Sequence, residues 1–431
     1  MVYRKIYIDK IIKYIDTPFV KILTGVRRSG KTTIMKMLLE EILKRGIDSN
    51  QILYYNFDSI KYENIKVIDL FNDIKSKISK SEKKYIFLDE IQEIENWEKL
   101  VNTLMNDYDV DIYVTGSNSR MLASEISTYL TGRYITFRIF PLSFSEYLDF
   151  RKQLNGSDKS NIKNSTCVID EIIITNVLES TNIDKEFIRK EFLRYLLFGG
   201  FPAIHLRNYT EEEAYAIVKD IYNSTIFTDI VRRNSIRKID QFERVVRYVF
   251  DNIGNTFSAT TITNFIKSEH RTLDNETVYN YLSKLERAYI IDRCSRYDIK
   301  GKEILKTQEK FYVADPALKY SIFGYNINDI SSMMKNIVYI ELLRRGYTAY
   351  VGKFNQYEID FVGVNRENKI YIQVAKSLKL DATIEREYKN LLEINDNCPK
   401  YVLCYDDFAK GNVDGIKTMH IADFLLMDDW E

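Results

Sequence analysis

Residues 25–33 read GVRRSGKTT, which is a complete G-x-x-x-x-G-K-[ST] phosphate loop. Residues 21–24, directly before the loop, are typical of a short apolar strand, and residues 32–45 after it carry apolar side chains at helical spacing. Strand, glycine loop and helix is the order that places a helix N-terminus against phosphate. The sequence therefore predicts an α/β fold with a P-loop NTPase parallel sheet, and a nucleoside triphosphate with Mg²⁺ as its ligand.

The physics of the loop assigns roles to its residues. Gly25 and Gly30 permit backbone conformations in which successive N–H groups converge on phosphate. Lys31 is expected to reach the β and γ phosphates, and Thr32 to give its hydroxyl to Mg²⁺. The two arginines of the loop stand at variable positions and are expected to face solvent or a partner. The predicted ligand-binding residues are Gly25, Val26, Arg27, Arg28, Ser29, Gly30, Lys31, Thr32 and Thr33.

A second motif, YIFLDE, follows at residues 85–90. Its apolar run is typical of a buried parallel strand, and the two acids come where that strand ends. Ligands bind at the carboxyl edge of open α/β sheets. Asp89 is therefore predicted to support the Mg²⁺, and Glu90 to orient and deprotonate the water that attacks the γ-phosphate.

Two further segments are candidates for sensing the γ-phosphate. A predicted strand at residues 111–115 is followed by short polar groups, of which Ser117 and Asn118 are the expected sensors. Residues 130–134, LTGRY, present Arg133 on a tight glycine turn, which suits an arginine finger acting in its own subunit or across a subunit contact. From spacing alone, a solvent-exposed loop arginine is an equally good interpretation of Arg133.

Composition sets limits on function. A length of 431 residues predicts two to four domains. Lys plus Arg equals Asp plus Glu at 62 each, so no overall field draws the chain to nucleic acid or membrane, and a nucleic-acid site would be a local patch. Four scattered cysteines and three histidines form no zinc signature. Without a signal peptide or a long apolar run, the sequence predicts a soluble, cytoplasmic protein.

The pattern divides the chain into four predicted domains. A P-loop core is expected over residues 1–154, with helices on both faces of its sheet, and a helical lid and linker over residues 155–235. A winged helix-turn-helix follows at 236–325, and a second α/β domain at 326–431. At residues 199–202, GGFP is interpreted as a helix stop in preference to a contact with the nucleotide.

The winged-helix prediction rests on three short helices and a hairpin between residues 240 and 315. Cations decorate the hairpin and could hold the phosphates of double-stranded DNA. Acids at the start of the third helix disfavour entry into a major groove, so DNA binding and a purely regulatory or lid role stay equally open. The candidate DNA-contacting residues are Arg293, Arg296, Lys300 and Lys302.

The C-terminal domain carries the pattern of a restriction-endonuclease-like metal site in depleted form. Asp360 is present, but Gln373 stands where a second carboxylate belongs and Ala375 where a lysine belongs. Lys376 comes one residue late, and strand alternation points it to the opposite face. These losses weaken Mg²⁺ binding and remove the group that positions the attacking water. We therefore expect a domain that binds a partner without cleaving DNA, with Asp360 at most the ligand of a second metal site.

The combination of GVRRSGKTT, IFLDEIQ, VTGSNSR, LTGRY with PLSFSEY, GGFP and EIDFV resembles a prokaryotic family of AAA-type ATPases with a restriction-endonuclease-like C-terminal domain. The resemblance implies ATP as the nucleotide and favours Arg133 as a finger. It makes Pro202 similar to a Gly-x-Pro contact that distinguishes ADP from ATP, and it implies that Arg4 lies near the adenine. It implies no settled physiological role.

The expected function is Mg²⁺-dependent ATP binding and hydrolysis coupled to conformational change of the winged-helix and C-terminal domains. The alternative is a slow ATP/ADP-dependent switch or scaffold that binds protein or DNA partners without significant turnover. An ATP-regulated nuclease is the least favoured reading. The sequence leaves the partner and the oligomeric state open.

Overall fold

The first strand of the chain, Val20–Thr24, lies inside a sheet of five parallel strands. In this computed structural model the described residues are 2–78, 82–117, 130, 132–157, 183–366, 368–378, 381–406 and 411–430. They form two compact units, Met1–Pro141 with Arg287–Tyr289 and Leu142–Glu286 with Ile290–Glu431. The division into four domains stays a prediction. Asn118 and residues 158–182 of the predicted helical lid and linker lie outside the described residues.

The parallel sheet of the first unit confirms the predicted P-loop NTPase class of fold. Its strands run in the order β2-β3-β4-β1-β5. Because β1 lies between β4 and β5, the order of the strands reverses beside it, and ligands bind open α/β sheets at such a switch point. The strands are β1 Val20–Thr24, β2 Ile52–Asn56, β3 Lys84–Asp89, β4 Val110–Gly116 and β5 Tyr134–Arg138.

Helices cover both faces of this sheet because apolar residues point alternately to each side of the strands. Ile86 and Leu88 pack with the helices on one face, whereas Tyr85 and Phe87 pack with those on the other. All four side chains are buried. The helices are α1 Lys5–Ile11 and α2 Lys31–Lys44 on the second face, and α3 Val67–Lys77 and α4 Trp97–Asp107 on the first.

The second unit begins with helices. A glycine pair follows the second of them, and its positive φ of 67° at Gly199 is a conformation that glycine adopts without strain. A short 3₁₀ helix, Pro202–His205, comes directly after the pair. The helices are α5 Phe144–Ser157, α6 Ile183–Phe198 and α7 Glu211–Ser224, and a π-helix, Thr225–Arg232, continues α7.

Three helices and three antiparallel strands follow. The β7–β8 hairpin pairs along its length, and the short β6 pairs with the end of β8. Apolar residues of the first helix, Phe242, Val245 and Val249, are buried as their spacing predicts. The elements are α8 Ile239–Asp251, β6 Thr256–Phe257, α9 Ala259–Ser268, α10 Asn275–Arg287, β7 Ile291–Asp298 and β8 Glu303–Val313.

The hairpin strands belong to one nine-stranded mixed sheet that continues through the C-terminal region. Its order is β13-β14-β12-β11-β10-β9-β7-β8-β6, and β7 pairs in parallel with β9. None of the helices in the described ranges has the length and apolar character needed to cross a membrane. The remaining elements are α11 Pro316–Phe323, α12 Ile330–Arg344, β9 Thr348–Phe354, β10 Tyr357–Asn365, β11 Asn368–Ala375, α13 Asp381–Leu392, β12 Lys400–Cys404, β13 Gly411–Val413, β14 Ile416–His420 and α14 Ile421–Leu426.

Candidate nucleotide-binding site

The phosphate loop joins the end of β1 to the start of α2. Gly25 has a φ of 141°, and a Cβ built on it would lie 2.1 Å from the carbonyl oxygen of Ile139. Ile139 also fixes the end of β1, because its N–H donates to the Thr24 carbonyl at 2.7 Å. Gly30, with a φ of 99°, opens α2. Only glycine satisfies both the conformation and the contact at position 25.

Lys31 lies inside the loop. The residue is only 4% exposed, and its Nζ donates to the carbonyl oxygens of Gly25 and Val26, both at 3.2 Å. The Glu90 carboxylate lies 4.0 Å from the same nitrogen. The ammonium group is therefore held where the loop closes, which is the position from which a lysine reaches β and γ phosphates.

Asp89, at the end of β3, is held by three hydroxyl groups. Thr32 donates to Oδ1 at 3.1 Å, Thr115 donates to the same oxygen at 2.5 Å, and Tyr54 donates to Oδ2 at 2.7 Å. Asp89 is 1% exposed, so these bonds fix the direction of the carboxylate. Burial and the hydrogen bond to Asp89 raise the pKa of Tyr54, which keeps its hydroxyl a donor.

Glu90 follows with a left-handed backbone, φ 56°. Its N–H donates to the Thr115 hydroxyl at 2.9 Å, and its carboxylate accepts a hydrogen bond from the Gln92 side-chain amide. Burial, followed by the nearby Glu90 charge, raises the pKa of Asp58. Gln92 and Lys31 thus lie beside the Glu90 carboxylate at the carboxyl edge of the sheet.

Buried hydroxyls at this edge suit a phosphate group. Ser29 and Ser117 are 0% and 1% exposed, and the hydroxyl oxygens of both have no hydrogen-bond partner among the described residues. A buried hydroxyl without a partner is costly unless a ligand or water completes it. Together with a threonine and an aspartate that offer oxygen ligands, these groups suit Mg²⁺ and a nucleotide.

Comparisons with known proteins identify the family to which the chain belongs. A family model described as an AAA domain matches residues 17–148, and one described as a domain of unknown function (DUF8612) matches residues 189–329. An uncharacterized protein of Haemophilus influenzae is 32% identical over 428 residues, which are 99% of this chain and 99% of that protein. The chain belongs to the family of that protein. Its N-terminal unit is a P-loop nucleotide-binding domain of the AAA type.

A second relative also spans most of this chain. Uncharacterized protein MJ1544 of Methanocaldococcus jannaschii is 33% identical over 426 residues, which cover 95% of this chain and 88% of the relative. Among solved structures, the Walker-type ATPase PABY2304 of Pyrococcus abyssi has 13% identity and a TM-score of 0.49, over 75% of this chain and 96% of its own. A score of this size supports no inference about ligands or partners.

In this chain, Arg133 lies at the sheet edge opposite the phosphate loop. Its carbonyl accepts from the N–H of Val20, the first residue of β1, and its guanidinium donates to Asn106 at 2.7 Å. The loop follows Thr24 at the other end of β1, about 13 Å away at about 3.3 Å per strand residue. No arginine side chain spans that distance. Arg133 thus lies out of reach of the phosphate loop of its own subunit, and its action as a finger across a subunit contact stays a prediction.

The two residues that the resemblance adds occupy different units. Arg4 is 2% exposed and donates to the Ser29 carbonyl of the phosphate loop at 2.8 Å. Pro202 begins its 3₁₀ helix in the second unit, and its contact with nucleotide stays a prediction. The glycines before Pro202 have a local reason: a Cβ on Gly199 would lie 1.7 Å from a carboxylate oxygen of Asp315, whose other oxygen accepts from the Gly200 N–H at 2.6 Å.

The candidate DNA-contacting cations differ in their surroundings. Lys300 and Lys302 are exposed at the tip of the β7–β8 hairpin, and Arg296 is half-buried. Arg293 forms a two-pronged ion pair with Glu286, at 2.9 and 3.0 Å, and also contacts Glu309. Its guanidinium already pairs with protein carboxylates, which disfavours a DNA contact through Arg293.

Asp360 is engaged by the protein itself. Its Oδ1 accepts from Lys335 of α12, and its Oδ2 accepts from the backbone N–H of Val374 at 2.9 Å. Gln373 accepts from the Asp360 N–H, whereas Lys376 is exposed. In the described part of the chain, no group of three or more His, Cys, Asp or Glu side chains is placed to hold a metal ion. The ammonium of Lys335 thus occupies the side of Asp360 that a cation would take.

Sequence reasoning missed three polar residues of the nucleotide site. Tyr54 and Thr115 hold Asp89, and Gln92 holds Glu90. For Thr115 a signal existed, because it is the last residue of the predicted strand at 111–115, which runs beside the acidic strand. Tyr54 gave no signal, since tyrosine is common throughout this chain and its partner lies 35 positions away.

Proposed function

We propose that this protein binds ATP with Mg²⁺ and hydrolyses it, and that hydrolysis is coupled to conformational change of the winged-helix and C-terminal regions. The observation that carries the proposal is the hydrogen bond between Thr32 and Asp89, which joins the phosphate loop to the acidic strand end. These two residues would hold the metal. Mg²⁺, when bound, would offset the negative charge of the phosphates.

The protein groups around that pair divide the remaining work. Lys31 exchanges the loop carbonyls that it now contacts for phosphate oxygens, which are stronger acceptors. Glu90 takes the proton of the attacking water once Lys31 has turned to phosphate, and Gln92 keeps its carboxylate oriented. Ser117 offers its buried hydroxyl to the γ-phosphate.

Replacement of Glu90 tests this assignment. Glu90→Gln is expected to retain Mg²⁺-dependent ATP binding and to lose turnover by about 100-fold or more, because general base catalysis contributes at least that factor. Glu95→Gln, an exposed change of the same kind on the same segment, is the matched control. Binding is measured by calorimetry and turnover by phosphate release. Wild-type protein that binds no Mg²⁺·ATP, or Glu90→Gln protein that turns over normally, would refute the proposal.

A second candidate function is a slow ATP/ADP-dependent switch or scaffold. It is favoured by the contacts of Glu90, whose carboxylate is already engaged by Gln92 and lies near Lys31. A base held in this way needs rearrangement before it meets water. Turnover below about one per minute with tightly retained ATP would support the switch, and faster turnover that Glu90→Gln abolishes would support the ATPase.

We further propose that residues 236–325 form a winged helix-turn-helix and that its wing contacts the phosphates of double-stranded DNA. The support is a rigid, exposed tip: Asp298 accepts from the N–H groups of Lys300 and Gly301, both at 3.0 Å. Reversing the charges of Lys300 and Lys302 is expected to reduce the slope of log DNA affinity against log salt concentration by the equivalent of about two phosphate contacts. Reversal at the exposed Lys389 is the control. No affinity at low salt would eliminate this proposal.

A further inference from the structure

Arg4 is a buried cation whose donors are directed at backbone carbonyls around the phosphate loop. It precedes α1 and is 2% exposed. Its guanidinium donates to Ser29 at 2.8 Å, to Phe140 at 3.0 Å and to Pro141 at 3.4 Å. The Tyr7 ring lies against it, with 4.6 Å between the guanidinium carbon and the ring centroid. Burial of a charge is costly unless its hydrogen bonds are satisfied, so this geometry is specific.

The contact with Ser29 has a consequence for the next peptide group. In a trans peptide the C=O of one residue and the N–H of the next point to opposite sides of the chain, and no cis peptide occurs among the described residues. Because the Ser29 carbonyl points at Arg4, the Gly30 N–H points away from it. That N–H belongs to the turn that opens α2, where backbone N–H groups meet phosphate.

The same guanidinium ties the loop to the segment that follows β5. Phe140 and Pro141 come directly after Ile139, which contacts the loop at Gly25. The Tyr7 hydroxyl accepts from the Phe140 N–H at 3.1 Å and so fixes this segment against α1. The loop is therefore fastened to one segment at two points: directly at Gly25, and through Arg4 at Ser29.

We propose that Arg4 is a positioning residue that sets the Ser29–Gly30 peptide for phosphate binding, and that it does not contact the base. A side chain that is 2% exposed offers almost no surface on which adenine could stack. Its positive charge behind the loop also adds to the attraction for a polyphosphate. The inference rests on the proposed nucleotide-binding function and names the part of the nucleotide that Arg4 serves.

Binding of three ligands tests this inference: Mg²⁺·ATP, Mg²⁺·GTP and Mg²⁺·tripolyphosphate, measured by calorimetry on the full chain. Arg4→Met is expected to weaken all three by the same factor, about tenfold or more, because a charge-assisted hydrogen bond to phosphate loses its alignment. Lys5→Met removes an exposed charge from the adjacent position and is expected to change none of them. A loss confined to ATP would make Arg4 a base contact and overturn the inference, and so would unchanged binding of all three.

Arg4→Lys keeps the experiment decisive if Arg4→Met fails to fold. Lysine retains the charge but presents one nitrogen where arginine presents a fork, so it is expected to give the same uniform loss in smaller size. A folded Arg4→Lys protein that has lost the hydrogen bond to the Ser29 carbonyl but binds all three ligands with wild-type affinity would contradict a positioning role. Failure of the wild type to bind any of the three ligands would instead count against the proposed function itself.

Discussion

Replacing Asp315 with asparagine should change how the stability of the second unit depends on pH. Asp315 is 2% exposed, and its carboxylate accepts only backbone N–H groups in the hydrogen bonds that the structure resolves, those of Gly200 and Ala317. Burial raises the pKa of Asp315 from its ordinary 3.8 to about 7, against the opposing effect of these bonds and of Arg344. The folded state therefore holds a proton that the unfolded chain has released.

The sign and size of the effect follow from that difference. Stability from Asp315 is fully present below about pH 4 and is lost as the pH rises through about 7, because the folded state binds more protons over this window. At about 1.36 kcal/mol per pKa unit, the free energy of unfolding should fall by about 3 kcal/mol between pH 5 and pH 8. Asparagine cannot ionise, so Asp315→Asn should lack this fall.

The assay is urea unfolding of both proteins at several pH values between 5 and 8. The chain has two tryptophans, and Trp430 lies in the second unit, so a Trp97→Phe background makes fluorescence report that unit. His205, whose pKa burial lowers from 6.5 to about 4, contributes with the opposite sign, but it is common to both proteins. Asp414→Asn, an exposed change, is the control. A difference between wild type and Asp315→Asn that stays constant from pH 5 to pH 8 would refute the reasoning.

Three further predictions concern the AAA domain. Gly25→Ala should weaken Mg²⁺·ATP binding by about tenfold or more, because its methyl group would collide with the carbonyl oxygen of Ile139. Gly46→Ala is the control, since Gly46 also has a positive φ but has open space around it, and it should leave binding unchanged. Equal affinities of the two variants in calorimetry would contradict this prediction. Tyr54→Phe should raise the Mg²⁺ concentration for half-maximal turnover by about tenfold, since a hydrogen bond to the strand-end carboxylate is lost. Tyr55→Phe removes a hydroxyl that binds elsewhere and should leave Mg²⁺ dependence unchanged, so similar curves for both variants would count against the assignment. Arg133→Ala should leave ATP affinity intact and abolish any rise of specific turnover with protein concentration; weaker ATP binding by dilute protein would show the geometric argument to be mistaken.

The core of the site could be predicted because its signals are local. The phosphate loop needs glycines at fixed offsets, and Asp89 ends an apolar strand whose neighbours are adjacent in sequence. Backbone geometry and strand burial are thus written within short windows, and the predicted parallel fold and the AAA domain were confirmed.

The remaining contacts depend on pairings that a single sequence does not specify. Tyr54 meets Asp89 only because β2 and β3 align so that Asn56 faces Asp89. Arg133 lies far from the phosphate loop because β5 starts beside Val20, a pairing that the sequence does not reveal. Charge alone is an equally weak guide to DNA binding. Arg293 carries the positive charge that DNA attracts, but its guanidinium pairs with Glu286 and Glu309.

Shared strands decide how the second unit can be divided. The pairing of β7 with β9 crosses residue 329, where the DUF8612 match ends, so that match covers only part of one continuous sheet. A fragment ending there would leave the edge of β7 unpaired, with N–H and C=O groups ready to pair with another chain. Expression of either half alone should therefore give self-associating material.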